Sequence, residues 1–200
     1  MARRISNRNS RKNIPTFVGA GLTEYYYLKH LKTLDSSYQF RLPLRYFGRE
    51  TIHEIEKNIE EILSINGTAY CVFDTDVTTW DQKEEQRLIA LKKKYAGNEN
   101  VYIFTSLPSI EYWFLLHFEN TNRFMATSHE AMNALRKYIP DFDKNAQFLE
   151  KEQWVHLLLT DNRLTTACER AETFANNKTK EDTISYSELY KLFKLLNIKE

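Results

Sequence analysis

Short β-favouring apolar runs alternate with longer segments whose apolar residues recur at helical spacing, and that rhythm organises the chain as far as Phe118. Ile14 to Gly19 predicts a first strand centred on Thr16-Phe17-Val18, followed by a flexible Gly19-Ala20-Gly21 turn. Thr23 is then the expected N-cap of a helix from Glu24 to Leu34, burying Tyr27 or Leu28, Leu31 and Leu34. Loose alternation from Tyr38 to Phe47 predicts a second strand. Ile52, Ile55, Ile59, Ile62 and Leu63 mark a helix between Glu50 and Ile65, which Asn66-Gly67 should end.

A third strand is expected over Ala69 to Phe73, and a charged surface helix over residues 82–95 with Leu88 and Leu91 turned inward. Val101 to Thr105 predicts a fourth strand. The turn Ser106-Leu107-Pro108-Ser109 leads into an apolar helix from Ile110 to Phe118. From Ser128 the pattern is helical throughout: Ser128, as cap, to Ile139, then Phe148 to Leu159, Asp161 to Phe174, and Ser187 to Leu196. Strand–helix alternation of this kind implies an α/β fold, a mainly parallel sheet flanked by helices, with a helical C-terminal part. Composition shifts near Asn120–Thr127. The expected organisation is a basic arm over residues 1–12, an α/β module over 13–122 and a helical part over 123–200 packed on it.

Composition changes this picture little. The chain of 200 residues suffices for one well-cored domain, and a formal net charge of +1 leaves nucleic-acid affinity to local patches. One such patch is residues 2–12, where five basic groups including Arg3 and Arg4 occur without an acid. A solvated tail is the simple account of it; an arm that gains affinity by releasing phosphate counterions is the sharper one. Cys71 and Cys168 form no C-x-x-C, which suggests reduced thiols and a cytoplasmic setting. No leader-like start or apolar run near the ~20 residues of a membrane span is seen, so neither secretion nor membrane insertion is expected.

Candidate chemistry centres on Tyr70-Cys-Val-Phe-Asp-Thr-Asp76. Residues two apart on a strand share a face, so Asp74 and Asp76 should project together where the strand reaches solvent. In open α/β sheets ligands bind at that carboxyl edge. Two adjacent carboxylates repel by a few kcal/mol at an effective dielectric of ~20, which a divalent cation between them relieves. A magnesium-type site is the first expectation.

Two other motifs are excluded. Glu24 occupies the third glycine of G-x-G-x-x-G, and no G-x-x-x-x-G-K-[ST] is present, so neither a dinucleotide fingerprint nor a P-loop exists. Taken alone, Glu24 needs no function, because acids in a helix's first turn complement the dipole. Asp74-Thr-Asp76-Val-Thr78 matches the D-x-D-x-T pattern of haloacid-dehalogenase-type phosphatases, but on the third strand and without a later G-D-x-x-x-D. Glu111 stands in a greasy helix start, and buried charges need partners, so it should face a polar site. His117, six residues on, reads more readily as a hydrogen-bonded core histidine than as a ligand.

In combination these landmarks resemble the RloB family of bacterial defence proteins, within the wider Toprim group that includes the OLD-type nucleases. The matching features are the basic start, Gly21-Leu-Thr-Glu24, Phe73-Asp-Thr-Asp76, and Pro108-Ser-Ile-Glu-Tyr-Trp-Phe-Leu-Leu-His-Phe118. The closing segment, with Lys178-Thr-Lys180 and Ser187 to Leu196, is similar but less specific. The resemblance implies a Toprim-like fold and phosphodiester cleavage with Mg²⁺ or Mn²⁺, on RNA (tRNA included) rather than DNA. It also implies an abortive-infection role as a toxin-like nuclease with an ATPase partner. Asp74 and Asp76 match the D-x-D metal ligands, Glu24 the second acid of the family's first-strand motif, and Glu111 an additional ligand or an orienting group. Arg3, Arg4, Lys144 and His117 are the candidates for contacting substrate, and a homodimer through the C-terminal helices is also expected.

One departure stands out. Toprim domains carry a glutamate just before the first-strand glycine, and here that position is Ala20. Alanine offers no oxygen to a metal and no base to a proton, so the chain should bind metal weakly and cut slowly or not at all. Because the other landmarks are retained, a deliberate Glu-to-Ala inactivation is expected ahead of a naturally silent member. The competing class is a non-catalytic sensor or binding module that docks on an ATPase.

Overall fold

The computed structural model describes residues 14–19, 21–42, 51–75, 82–177, 179 and 183–196. Strand β1 (Thr16–Val18) runs into helix α1 (Leu22–Leu34); α2 (Ile52–Ser64) leads to β2 (Ala69–Asp74). Helix α3 (Gln82–Lys94), β3 (Val101–Leu107) and α4 (Ile110–Leu116) follow. The remainder comprises α5 (Ser128–Leu135), α6 (Ala146–Leu149), α7 (Gln153–Leu159), α8 (Arg163–Asn177), β4 (Tyr186–Ser187) and α9 (Leu189–Leu195). The sheet order is β1-β2-β3-β4, with β1, β2 and β3 parallel and β4 antiparallel. This is the mainly parallel, helix-flanked α/β architecture expected, with a helical C-terminal part.

Alternation along β2 sorts its side chains between two cores. Cys71 and Phe73 face a smaller cluster with Ile55 and Ile59 of α2 and Leu88 and Leu91 of α3. Tyr70 and Val72 face a larger one that reaches Trp113 of α4, Trp154 of α7 and Phe193 of α9. By the same period Asp74 lies on the α4 side of the sheet.

Helix α2 is delimited by local chemistry. Thr51 Oγ1 accepts from the Glu54 amide while the Glu54 carboxylate accepts from the Thr51 amide, a reciprocal capping box. Asn66, at φ +56°, reverses the chain beyond its end, as the Asn66-Gly67 pair suggested. Thr51→Ala should therefore lower stability by about 1 kcal/mol in urea denaturation. No change would mean that tertiary packing alone holds this end.

Several boundaries differ from expectation. The helix after β1 begins at Leu22 with Gly21 as its cap residue, so Thr23 is not the N-cap but a buried first-turn residue. The strand expected at Tyr38 to Phe47 is, over its described part, a single bridge between Arg41 and Thr16; residues 43–47 lie outside the described residues. The alternation there arises because Tyr38 and Phe40 both pack on the larger core. The strand bearing Asp74 is accordingly the second in the sheet. Thr127, one residue before Ser128, caps α5.

The helix expected over Phe148 to Leu159 is broken into α6 and α7. Its ladder is interrupted where the Leu149 carbonyl accepts from Trp154 Nε1 (3.3 Å) and bonds His30 Nε2 (2.8 Å). The last expected helix begins two residues late, because Tyr186–Ser187 joins the edge of β3 as β4. The Ser106 and Ser187 hydroxyls, 2.8 Å apart, bond across that pair. The C-terminal part thus completes the sheet as well as the larger core.

Candidate acidic site at the carboxyl edge of the sheet

Parallel strands in the order β1-β2-β3 bring their carboxyl ends side by side. Among the described residues, three acidic groups arrive there: Glu24 from the first turn of α1, Asp74 from the last residue of β2, and Glu111 from the first turn of α4. Glu24 is 5% exposed and Glu111 wholly buried, so neither is an ordinary surface acid. Asp74 lies beside Glu24 and is one of the influences that hold its pKa down. Asp74 Oδ1 also accepts from the Ile110 amide at 2.8 Å, which ties β2 to the start of α4.

Gly21 makes room for this arrangement. A Cβ there would lie 2.5 Å from Glu24 Oε2, so any side chain would push the carboxyl group away. Burial, and then the negative charge of Glu111, raise the Glu24 pKa to about 7; its backbone hydrogen bond, Lys144 and Asp74 oppose the shift.

Glu111 is held differently. Its Oε2 accepts from Ser109 Oγ at 2.6 Å, and Lys144 Nζ lies 3.0 Å from Oε1. The second contact is an ion pair whose angles fall short of a hydrogen bond. Burial by itself would depress the Lys144 pKa, but the charges of Glu111, Asp74 and Glu24 more than offset it, and the ammonium is stabilised. Lys144 is therefore a cation set among carboxylates.

Of the residues singled out from the sequence, Glu24, Asp74, Glu111 and Lys144 come together. Asp76, Ala20, Arg3 and Arg4 lie outside the described residues. His117 is at the other end of α4, six residues or about 9 Å along the helix from Glu111. It is 2% exposed and its Nδ1 bonds the Trp113 carbonyl at 3.0 Å. Burial, aided by the charges of Arg170 and Arg163, outweighs its backbone hydrogen bonds and lowers its pKa to about 3. That is the core histidine of the simpler reading. Ser109 went unnoticed in the sequence; its signal was its place at the helix cap, two residues before a buried acid.

Among the described residues, no three of His, Cys, Asp and Glu are arranged to hold a metal ion together. The reason is visible in Glu111, which is turned to Ser109 and Lys144. Glu24 and Asp74 remain as neighbouring oxygen donors, and oxygen donors of this kind suit a hard divalent cation. No helix among the described residues is long and apolar enough to cross a membrane.

Neither the curated proteins nor the solved structures contain a match to this chain. The model of one protein family, described as RloB-like protein, matches residues 17–196. That span takes in β1, every acid of the carboxyl edge and the α9 helix that closes the larger core, so the chain belongs to the RloB-like family.

Proposed function

We propose that this chain is built as a Mg²⁺-dependent, Toprim-type nuclease of a bacterial anti-phage system, acting on RNA, in which Ala20 replaces a glutamate needed for cleavage. The observation that supports it is the meeting of Glu24 and Asp74 at the carboxyl edge beside the half-buried Lys144. Glu24 and Asp74 would hold the ion, with Asp76 and a glutamate at position 20 as further ligands. When bound, Mg²⁺ or Mn²⁺ supplies Lewis-acid activation and charge stabilisation for an in-line phosphoryl displacement. The chain's own part is to position: the Ile110 amide fixes Asp74, Gly21 admits the Glu24 carboxyl, and burial keeps Glu24 from water. Arg3 and Arg4 are proposed to bind backbone phosphates of the substrate.

Restoring Ala20→Glu should produce Mg²⁺-dependent cleavage of RNA, tRNA included, and toxicity in a bacterial host. A restored chain that stays inert on RNA and DNA with its ATPase partner supplied would contradict the proposal. Ala20 itself favours a second reading, a non-catalytic sensor module that docks on that ATPase. A native gene encoding glutamate at this codon would count against it.

A further inference from the structure

Strand β4 covers only part of the strand beside it. The Ala69 amide donates to the Asn100 carbonyl and the Thr75 amide to that of Ser106. Such bonds fall on alternate residues of a parallel pair, so the even-numbered residues of β3 bond β2 and the odd-numbered ones turn their backbone groups outward. Strand β4 pairs with Ser106 and Leu107. Glu188 takes up Thr105: its amide donates to the Thr105 carbonyl at 2.8 Å and its Oε2 accepts from the Thr105 amide at 3.0 Å. The Val101 amide turns back to the Asn98 carbonyl at 3.2 Å. Among the described residues this leaves the Val101 carbonyl and both backbone groups of Ile103 unpaired.

A cavity of about 210 Å³ opens at the same edge, lined by Lys92, Tyr95, Val101, Ile103 and Glu188. Its rim is positive. Two ammonium groups share the single Glu188 carboxylate, Lys191 Nζ at 2.7 Å and Lys92 Nζ at 3.5 Å, so this trio carries one positive charge in excess. An unpaired edge is a template for another strand. A residue of an antiparallel strand placed opposite Ile103 would exchange both bonds with it, and its side chain would share the face of Ile103, toward the cavity. The amide two residues further on would donate to the Val101 carbonyl.

We infer that the open edge of β3 at Val101 and Ile103 is a docking site for an extended acidic segment of a protein partner, added antiparallel in line with β4. Such a segment runs from Thr105 toward Val101. Lys92 Nζ, 3.1 Å from Thr105 Oγ1, stands where it enters, so its acid precedes by two residues the apolar side chain that fills the cavity. Main-chain bonds supply the affinity, and the cavity with its excess charge supplies the specificity. No residue of the acidic site takes part, so the docking edge stands apart from the nuclease reading.

The test uses the full chain with fluorescein-capped Asp-Thr-Ile-Thr-Val-amide and a counterpart carrying Lys in place of Asp. Fluorescence anisotropy should show binding that is tighter for the Asp peptide, a preference that Lys92→Gln narrows. Hydrogen exchange should find the Ile103 amide fast in the free chain, between slow Tyr102 and Phe104 amides, and slowed once the Asp peptide is bound. Ile103→Pro removes that outward amide and spares every bond to β2, so it should weaken binding about fivefold or more. No binding of either peptide at about 1 mM, equal binding of both, or an Ile103 amide that stays fast in the complex would overturn the proposal. So would undiminished binding by an Ile103→Pro chain whose circular dichroism is native. Protection of Ile103 in a dimeric chain without peptide would overturn it too, giving the edge to a second copy.

Discussion

Truncating Trp113 to alanine should destabilise the fold by about 3–5 kcal/mol, the range for removing a large buried aromatic. For a chain of this length that corresponds to a fall in Tm of roughly 6–20 °C. The indole is wholly buried, stacks on Phe193 with ring centres 5.5 Å apart, and donates from Nε1 to the Tyr27 hydroxyl at 3.0 Å. It therefore joins α1, α4 and α9 at one point. Its loss leaves a void that cannot close without moving helices from both ends of the chain, and it strips the buried Tyr27 hydroxyl of a donor. Thermal and urea denaturation would measure the effect. A loss below about 1 kcal/mol would show that the three helices are not joined through this ring.

The pH dependence of stability carries the second large effect, hidden by cancellation. Glu24 titrates near 7 in the fold against an ordinary value of 4.5, so its contribution is complete below 4.5 and disappears as pH rises through 7. His117 titrates near 3 against 6.5, so its contribution is complete above 6.5 and disappears as pH falls through 3. Between about pH 4.5 and 6.5 the folded state holds one extra proton on Glu24 and one fewer on His117, and the two slopes oppose. Each alone is worth roughly 3 kcal/mol across those two pH units. With a chelator present, Glu24→Gln should expose a stability that climbs with pH through this window, and His117→Asn one that declines. Parallel flat profiles for the parent and both variants would refute the assignment of either proton.

The acidic edge was legible because its logic is local to each strand and helix. The apolar run before Asp74 identifies a buried strand, parallel strands align their carboxyl ends, and Glu24 follows the first of them by a single helical turn. What the pattern could not convey were pairings across long separations. Lys144 meets Glu111 from 33 residues away, across two helices and their loops, a partnership no periodicity encodes. Likewise Tyr186–Ser187 is too short to display a strand's alternation, so its place beside β3 appears only in the hydrogen bonds from Ser106 and Leu107. The break at Leu149 depends on His30, 119 residues away, taking its carbonyl.

The lateness of that edge strand has a bearing on how the chain is made. A nascent polypeptide still lacking residues 186–195 has β3 uncovered on one side and Trp113 without Phe193 against it. The parallel strands can pair early, but the helix that fixes Glu111 and Asp74 gains its backing only once residues 186–195 have been made. Synthesis order thus places maturation of the centre after that of the strands beneath it.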